Sequence, residues 1–289
     1  MTRFFQFAQS SLPPWLLAAT AVLFGAVVLY GLIALAFRTR LGAWLCYLLA
    51  TMFSRFFFHW KCENECPIPE HGPAIVVANH TSPVDPVILW IRHFAKFKRR
   101  RLRVIGYLTA KEYCNMWGPV GWICTAMQSI PVARSGRDMA PVKTALERLQ
   151  EGRLMGLFPE GRINTKSPSG KLLRPGTGAA WLALKSRAPV IPIYIRDSPR
   201  SDSMAKCFLV QTQTTVVYGK PIDLSPWLDE KPTRVLLAEV TNHIMAELAR
   251  LGGVEFTALS ADPADHDSEH DESAHDEEQR SSPAAEGTA

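Results

Sequence analysis

The sequence predicts an α/β domain with a mostly parallel central sheet flanked by helices, preceded by an N-terminal membrane-anchoring helical segment. Three observations predict it. From Glu70 onward, short apolar runs rich in β-branched residues alternate with stretches of helical spacing, the pattern of strands joined by helical crossovers. Trp15 to Phe37 is 23 consecutive residues without a charge. Two of the strand-like runs end in loops that carry titratable groups, and strand-end loops are where open α/β sheets bind ligands.

Taken in order, Trp15–Phe37 would span about 34 Å as a helix, enough to cross a bilayer core. Ala34-Leu35-Ala36 resembles a signal cleavage site, but the apolar run is longer than a usual signal core and only Arg3 precedes it. The expectation is a retained anchor. Arg38, Arg40 and Arg55 follow it and put the C-terminal body on the cytoplasmic side. Leu41–Trp60 is apolar and aromatic, broken by Ser54 and Arg55. It reads as an interfacial or re-entrant helix, or else as a core helix of the body.

The body follows. Candidate strands are 74–79, 103–109, 128–133, 153–158, 189–195 and 207–218. Candidate helices are 84–95, 111–117, 139–150, 176–187 and 233–250. In 139–150, Pro141 stands near the start, Val142, Leu146 and Leu149 keep helical spacing, and Gly152 follows the end. The expected domains are an anchor over 1–60, a catalytic domain over 61–255 and a disordered acidic tail over 256–289.

The net charge of +5 is unevenly spread. Residues 261–289 hold ten acids and one base, a net −9, which leaves 31 bases and 17 acids, a net +14, on the rest. A basic body implies an anionic partner: a phospholipid surface, a phosphate-bearing substrate or nucleic acid. Lys96–Arg103 holds six bases in eight residues. Behind an apolar anchor such a run faces anionic headgroups, docks an acidic carrier protein, or is simply solvated. Six cysteines form no dense framework, so reduced thiols are expected. His59, Cys62, Cys66 and His71 are only loosely zinc-like in spacing, and no metal or cofactor is expected.

Four blocks carry chemistry. In the first, the apolar run 74–77 leads into Asn79-His80-Thr81-Ser82-Pro83-Val84-Asp85. His80 stands where a strand ends and Asp85 in the first turn of a helix, so the two can face each other as a general base and its orienting acid. The plainer reading is a capping box, with Ser82 at N-cap, Pro83 at N1 and Asp85 at N3, beside a buried histidine. In the second, Leu157-Phe158-Pro159-Glu160-Gly161-Arg162 ends another strand. Arg162 beside Gly161 suits a phosphate, while Glu160 could orient that arginine, accept from substrate hydroxyls or serve only the turn. The third is Ser129–Ser135, whose Arg134 would add a second cation to the rim. The fourth, Ala188–Ile195, has no reactive group and reads as a buried strand shaped by Pro192.

Together these blocks resemble the glycerophospholipid acyltransferase superfamily, whose marks are His-x4-Asp (His80, Asp85) and Phe-Pro-Glu-Gly (Phe158–Gly161). The resemblance covers roughly residues 70–220. Members often carry Thr and then Arg after that second motif; here Arg162 stands in the Thr place, followed by Ile163-Asn164. The resemblance implies that His80 and Asp85 are catalytic. It implies that Glu160, Gly161, Arg162 and Arg134 bind an acceptor such as lysophosphatidate, glycerol 3-phosphate or another lysophospholipid. The donor would be acyl-CoA or acyl carrier protein, used as a substrate and not as a bound cofactor. A phospholipid membrane is the expected partner and nucleic acid is not. The competing class is a non-enzymatic, basic lipid-binding protein of the membrane surface.

Overall fold

The computed structural model describes residues 14–37, 40–57, 59, 61–96, 103–133, 139–164, 171–199, 207 and 210–260. Two helices lead, α1 (Pro14–Phe37) and α2 (Arg40–Phe57). Next come β1 (Lys61–Glu63), β2 (Ala74–Ala78), α3 (Asp85–Lys96), β3 (Ile105–Ala110), α4 (Lys111–Cys114), α5 (Pro119–Ala126) and β4 (Ile130–Val132). After them come α6 (Ala140–Gln150), β5 (Leu154–Leu157), α7 (Gly178–Ser186), β6 (Val190–Arg196), β7 (Thr215–Tyr218) and α8 (Arg234–Gly252). A short 3-10 turn, Ser225–Trp227, precedes α8.

The seven strands form one sheet in the order β1-β7-β6-β2-β5-β3-β4. The five from β6 to β4 are mutually parallel. β7 runs antiparallel to β6, and β1 runs parallel to β7. β2 is central and buried along its whole length, as its unbroken apolar run requires of a strand covered on both faces.

Alternate β2 residues enter two different cores, because side chains leave a strand to opposite sides. Val76 and Ala78 join Ile105, Ile191, Ile193 and the α3 residues Ile88, Leu89 and Trp90 on one face. Ile75 and Val77 join Met155, Leu157 and residues of α6, α7 and α8 on the other. The close approach of β3 to β5 demands a glycine at 156, where a Cβ would lie 2.1 Å from the Tyr107 ring.

The expected α/β architecture with a mostly parallel sheet is what forms. Some elements differ. Within the range 207–218 expected as a strand, the described residues form one over Thr215–Tyr218. β1 and α5 were not expected, β1 being three exposed residues at a sheet edge and α5 carrying Pro119 and Gly121. Residues 256–260, expected in the disordered tail, are packed against α8. There Asn242 Nδ2 donates to the Leu259 carbonyl (3.0 Å) and Leu259 N–H donates to Asn242 Oδ1 (2.7 Å). The rest of the tail, 261–289, lies outside the described residues, as do 97–102 of the basic run.

Among the described residues no helix is long and apolar enough to cross a membrane.

Candidate active site

Three adjacent strands, β5, β2 and β6, end at the same edge of the sheet, and their C-terminal loops build the site. The loop after β2 supplies His80 and Asp85. α3 begins at Asp85, two residues later than the capping-box reading places its first turn. Half of that box still forms: Asp85 Oδ2 accepts from Ser82 N–H at 2.8 Å. The Ser82 hydroxyl accepts from Val84 N–H only at 3.4 Å. Asp85 Oδ2 also accepts from Thr81 N–H, at 2.8 Å. The turn between strand and helix is thus wrapped around the carboxylate, which is fully buried.

The same oxygen lies 3.1 Å from His80 Nδ1. Two backbone N–H groups already donate to it, so it acts here as an acceptor and Nδ1 carries the proton. That tautomer leaves Nε2 with its lone pair, the form a general base needs. Fixing the strand end as well, Asn79 binds the β6 backbone both ways. Its Nδ2 donates to the Ile195 carbonyl (2.9 Å) and its Oδ1 accepts from Ile195 N–H (2.7 Å). The Oδ1 of Asp85 accepts from the Ser198 hydroxyl at 2.5 Å.

The loop after β5 supports His80 from a second side. Glu160 Oε1 accepts from His80 N–H at 2.9 Å. Glu160 Oε2 accepts from Leu173 N–H at 2.8 Å and from Asn164 Nδ2 at 3.4 Å. Asn164 N–H in turn donates to the His80 carbonyl at 2.7 Å. The main chain of His80 is therefore bracketed on both sides of its Cα. Burial pushes the Glu160 carboxyl above its ordinary range, against the pull of the Leu173 and His80 N–H groups and the Asn164 amide. Glu160 is buried with both oxygens engaged, so it ties the loop after β5 to the His80 main chain.

Phe158 lies flat on the His80 ring, with centroids 4.0 Å apart and planes 16° from parallel. Tyr107 also stacks on Phe158, with ring centroids 5.6 Å apart. Burial, with the Asp85 charge added, pushes the Tyr107 phenol well above its ordinary range, so it stays a neutral wall at neutral pH. Gly161, with φ +66°, turns the chain after Glu160, and Arg162 beyond it is exposed. The lead-in to α7 is anchored: Leu172 N–H donates to the Glu255 carbonyl and Gly176 N–H to the Pro159 carbonyl, each at 2.9 Å.

The structure thus brings His80, Asp85, Glu160 and Gly161 together. Arg134 lies outside the described residues. The sequence reading missed Ser198, Asn79 and Asn164. Asn79 was inside the first block but had no visible partner, because Ile195 is 116 residues away. Arg103, the last of the basic run, donates to the carbonyls of Pro69, Gly72 and Gly152, so it closes loops at the opposite end of β2. Among the described residues no cluster of three or more His, Cys, Asp or Glu is placed to hold a metal ion.

Residues 59–196 match the family model described as Acyltransferase. The chain is similar to the 1-acyl-sn-glycerol-3-phosphate acyltransferase of Bacillus subtilis (strain 168). The two are 23% identical over 191 residues, which cover 65% of this chain and 87% of that one. It is also similar to the protein of the same name from Limnanthes alba, 28% identical over 163 residues. Those residues are 55% of this chain and 53% of that one, so the chain spans about half of that relative's length. In fold it is similar to the crystal structure of the 1-acyl-sn-glycerophosphate acyltransferase from Thermotoga maritima. The TM-score is 0.50 and the identity 20%, over 80% of this chain and 92% of that one. The matched segment 59–196 contains His80, Asp85 and Glu160, and the similarity supports an O-acyltransferase.

Proposed function

We propose that the protein moves an acyl group from acyl-CoA or acyl carrier protein to the sn-2 hydroxyl of 1-acylglycerol 3-phosphate, giving phosphatidate. The observation that carries the chemistry is the 3.1 Å contact between His80 Nδ1 and the buried Asp85 carboxylate. In this reading Nε2 takes the proton of the acceptor hydroxyl as its oxygen attacks the donor's thioester carbonyl. Asp85 stabilises the imidazolium that forms, and the Phe158 face beside the ring adds to that. The tetrahedral intermediate collapses, the C–S bond breaks and the imidazolium returns its proton to the departing thiolate. The substrate hydroxyl takes the place a serine holds in a hydrolase triad, and the sequence has no Gly-x-Ser-x-Gly elbow for a covalent acyl-enzyme. Arg162, with Gly161 shaping its turn and Arg134 as a second cation, binds the acceptor phosphate. Glu160 serves by fixing the His80 main chain.

The reading includes a membrane seat with the catalytic domain on the cytoplasmic side. What supports it is the apolar character of α1 on every side. Val22, Leu23 and Phe24 are successive, about 100° apart around the axis, and are exposed by 73%, 66% and 71%. A helix apolar all round fits an apolar solvent better than a one-sided partner. On α2, Leu41, Trp44, Leu48 and Met52 form an exposed stripe at helical spacing, suited to an interface. Retention of the full chain in vesicles through an alkaline wash tests this seat, and release into the wash would contradict it.

The activity is tested by assaying purified protein with lysophosphatidate, glycerol 3-phosphate and other lysophospholipids, each with an acyl-CoA and an acyl carrier protein donor. The highest kcat/KM is expected with lysophosphatidate. Preference for another acceptor would reassign the substrate, and absence of transfer to any of them would overturn the proposal.

A further inference from the structure

Asp85 receives hydrogen bonds from two sources. Three donors, Thr81 N–H, Ser82 N–H and His80 Nδ1, converge on Oδ2 from the local turn. Oδ1 is met from across the sheet by Ser198 Oγ at 2.5 Å, between two side chains that are 0% and 4% exposed. We propose that Ser198 is a positioning residue of the acyl-transfer reaction, clamping the Asp85 carboxylate so that Oδ2 faces the His80 ring. It rests on the reading of His80 as the base and Asp85 as its orienting acid.

The fold holds this hydroxyl in place from two directions. Asn79, next to His80, ties the β2 end to Ile195 near the β6 end, fixing the strand from which Ser198 follows three residues later. Asp197 takes a left-handed conformation, φ +57°. Its carbonyl accepts from the buried Thr214 hydroxyl just before β7, at 3.2 Å. A hydroxyl held from both neighbouring strands does two things. It opposes rotation of the carboxylate about its Cβ–Cγ bond. It also takes up part of the negative charge through a short O–H···O bond to a carboxylate. The imidazolium formed in the reaction then meets a carboxylate of fixed orientation and moderated charge.

The test uses the full chain in lipid vesicles, with Ser198→Ala, Ser198→Thr and His80→Ala compared at equal folded concentration. For Ser198→Ala, kcat is expected to fall about tenfold with both KM values within about twofold, the pattern of an interaction felt in the transition state. The acid limb of its pH–kcat/KM profile is expected at higher pH than in the parent, because a less neutralised Asp85 holds the imidazolium's proton more tightly. Ser198→Thr, which keeps a hydroxyl donor, is expected to restore both. Parental kcat and pH profile in Ser198→Ala would overturn the proposal. So would equal loss in the Ala and Thr variants with an unmoved acid limb, the result of a packing role alone. His80→Ala separates the two readings: if it retains turnover, the base assignment fails whatever Ser198 does.

Discussion

Two loops of this enzyme each bury a carboxylate beside His80, and they use it differently. In the loop after β2, Asp85 meets the imidazole itself. In the loop after β5, Glu160 meets the main chain of the same residue, at His80 N–H. Asp85 gathers its backbone donors from residues three and four positions away, so its turn is nearly self-sufficient. Glu160 takes donors 80 and 13 residues distant and so joins segments that would otherwise drift apart. Burial raises the Glu160 carboxyl, while Asp85 sits at a helix start, where a negative charge is favoured. The difference is one of reach: one carboxylate meets the His80 ring from its own turn, and the other ties the His80 main chain to distant segments.

The sharpest way to break this comparison is Asp85→Asn. The amide keeps one acceptor oxygen for Thr81, Ser82 and His80, and its NH2 can donate to the Ser198 oxygen, so the turn survives while the charge is lost. The expected result is a fall in kcat of about a thousandfold with little change in Tm, as for loss of the acid behind a catalytic histidine. Glu160→Gln should do the reverse. An NH2 would face either the His80 or the Leu173 N–H, leaving a buried donor unpaired at a cost of about 2 kcal/mol. Unfolding in urea should show that loss of stability, with kcat falling by less than for Asp85→Asn.

The raised Glu160 carboxyl adds a pH signature. Its contribution to stability is fully present below the ordinary glutamate value of 4.5 and is lost as pH rises through the higher folded value. The stability gap between the parent and Glu160→Gln should therefore narrow as pH rises from 4.5. A gap that widens over that range would contradict the assigned direction. Smaller still, Arg162→Ala should raise the acceptor KM by about tenfold and leave kcat nearly unchanged, since an exposed guanidinium contributes ground-state binding of a phosphate. A pure kcat loss would remove Arg162 from that role.

Much of this was legible in the sequence, for identifiable reasons. β2 announced itself because a central parallel strand must be apolar on both faces, and the 74–79 run is. His80 and Asp85 were legible because both sit on one short strand-to-helix turn. Ser198 was not, because it lies 113 residues from Asp85 and only the sheet order, β6 beside β2, brings it there. The hydrogen bonds of Glu160 were not legible, because sequence shows a carboxylate beside an arginine but not the distant N–H groups that donate to it. β1 was invisible because three exposed residues at a sheet edge carry no periodic pattern.

The central claim is that the imidazole held by Asp85 is the base for the acceptor hydroxyl. The initial rate of acyl transfer by folded His80→Ala, under saturating donor and acceptor, tests it most directly. The expected result is a loss of about ten-thousandfold or more, the scale seen when the base of such a catalytic unit is removed. Turnover within tenfold of the parent would contradict it.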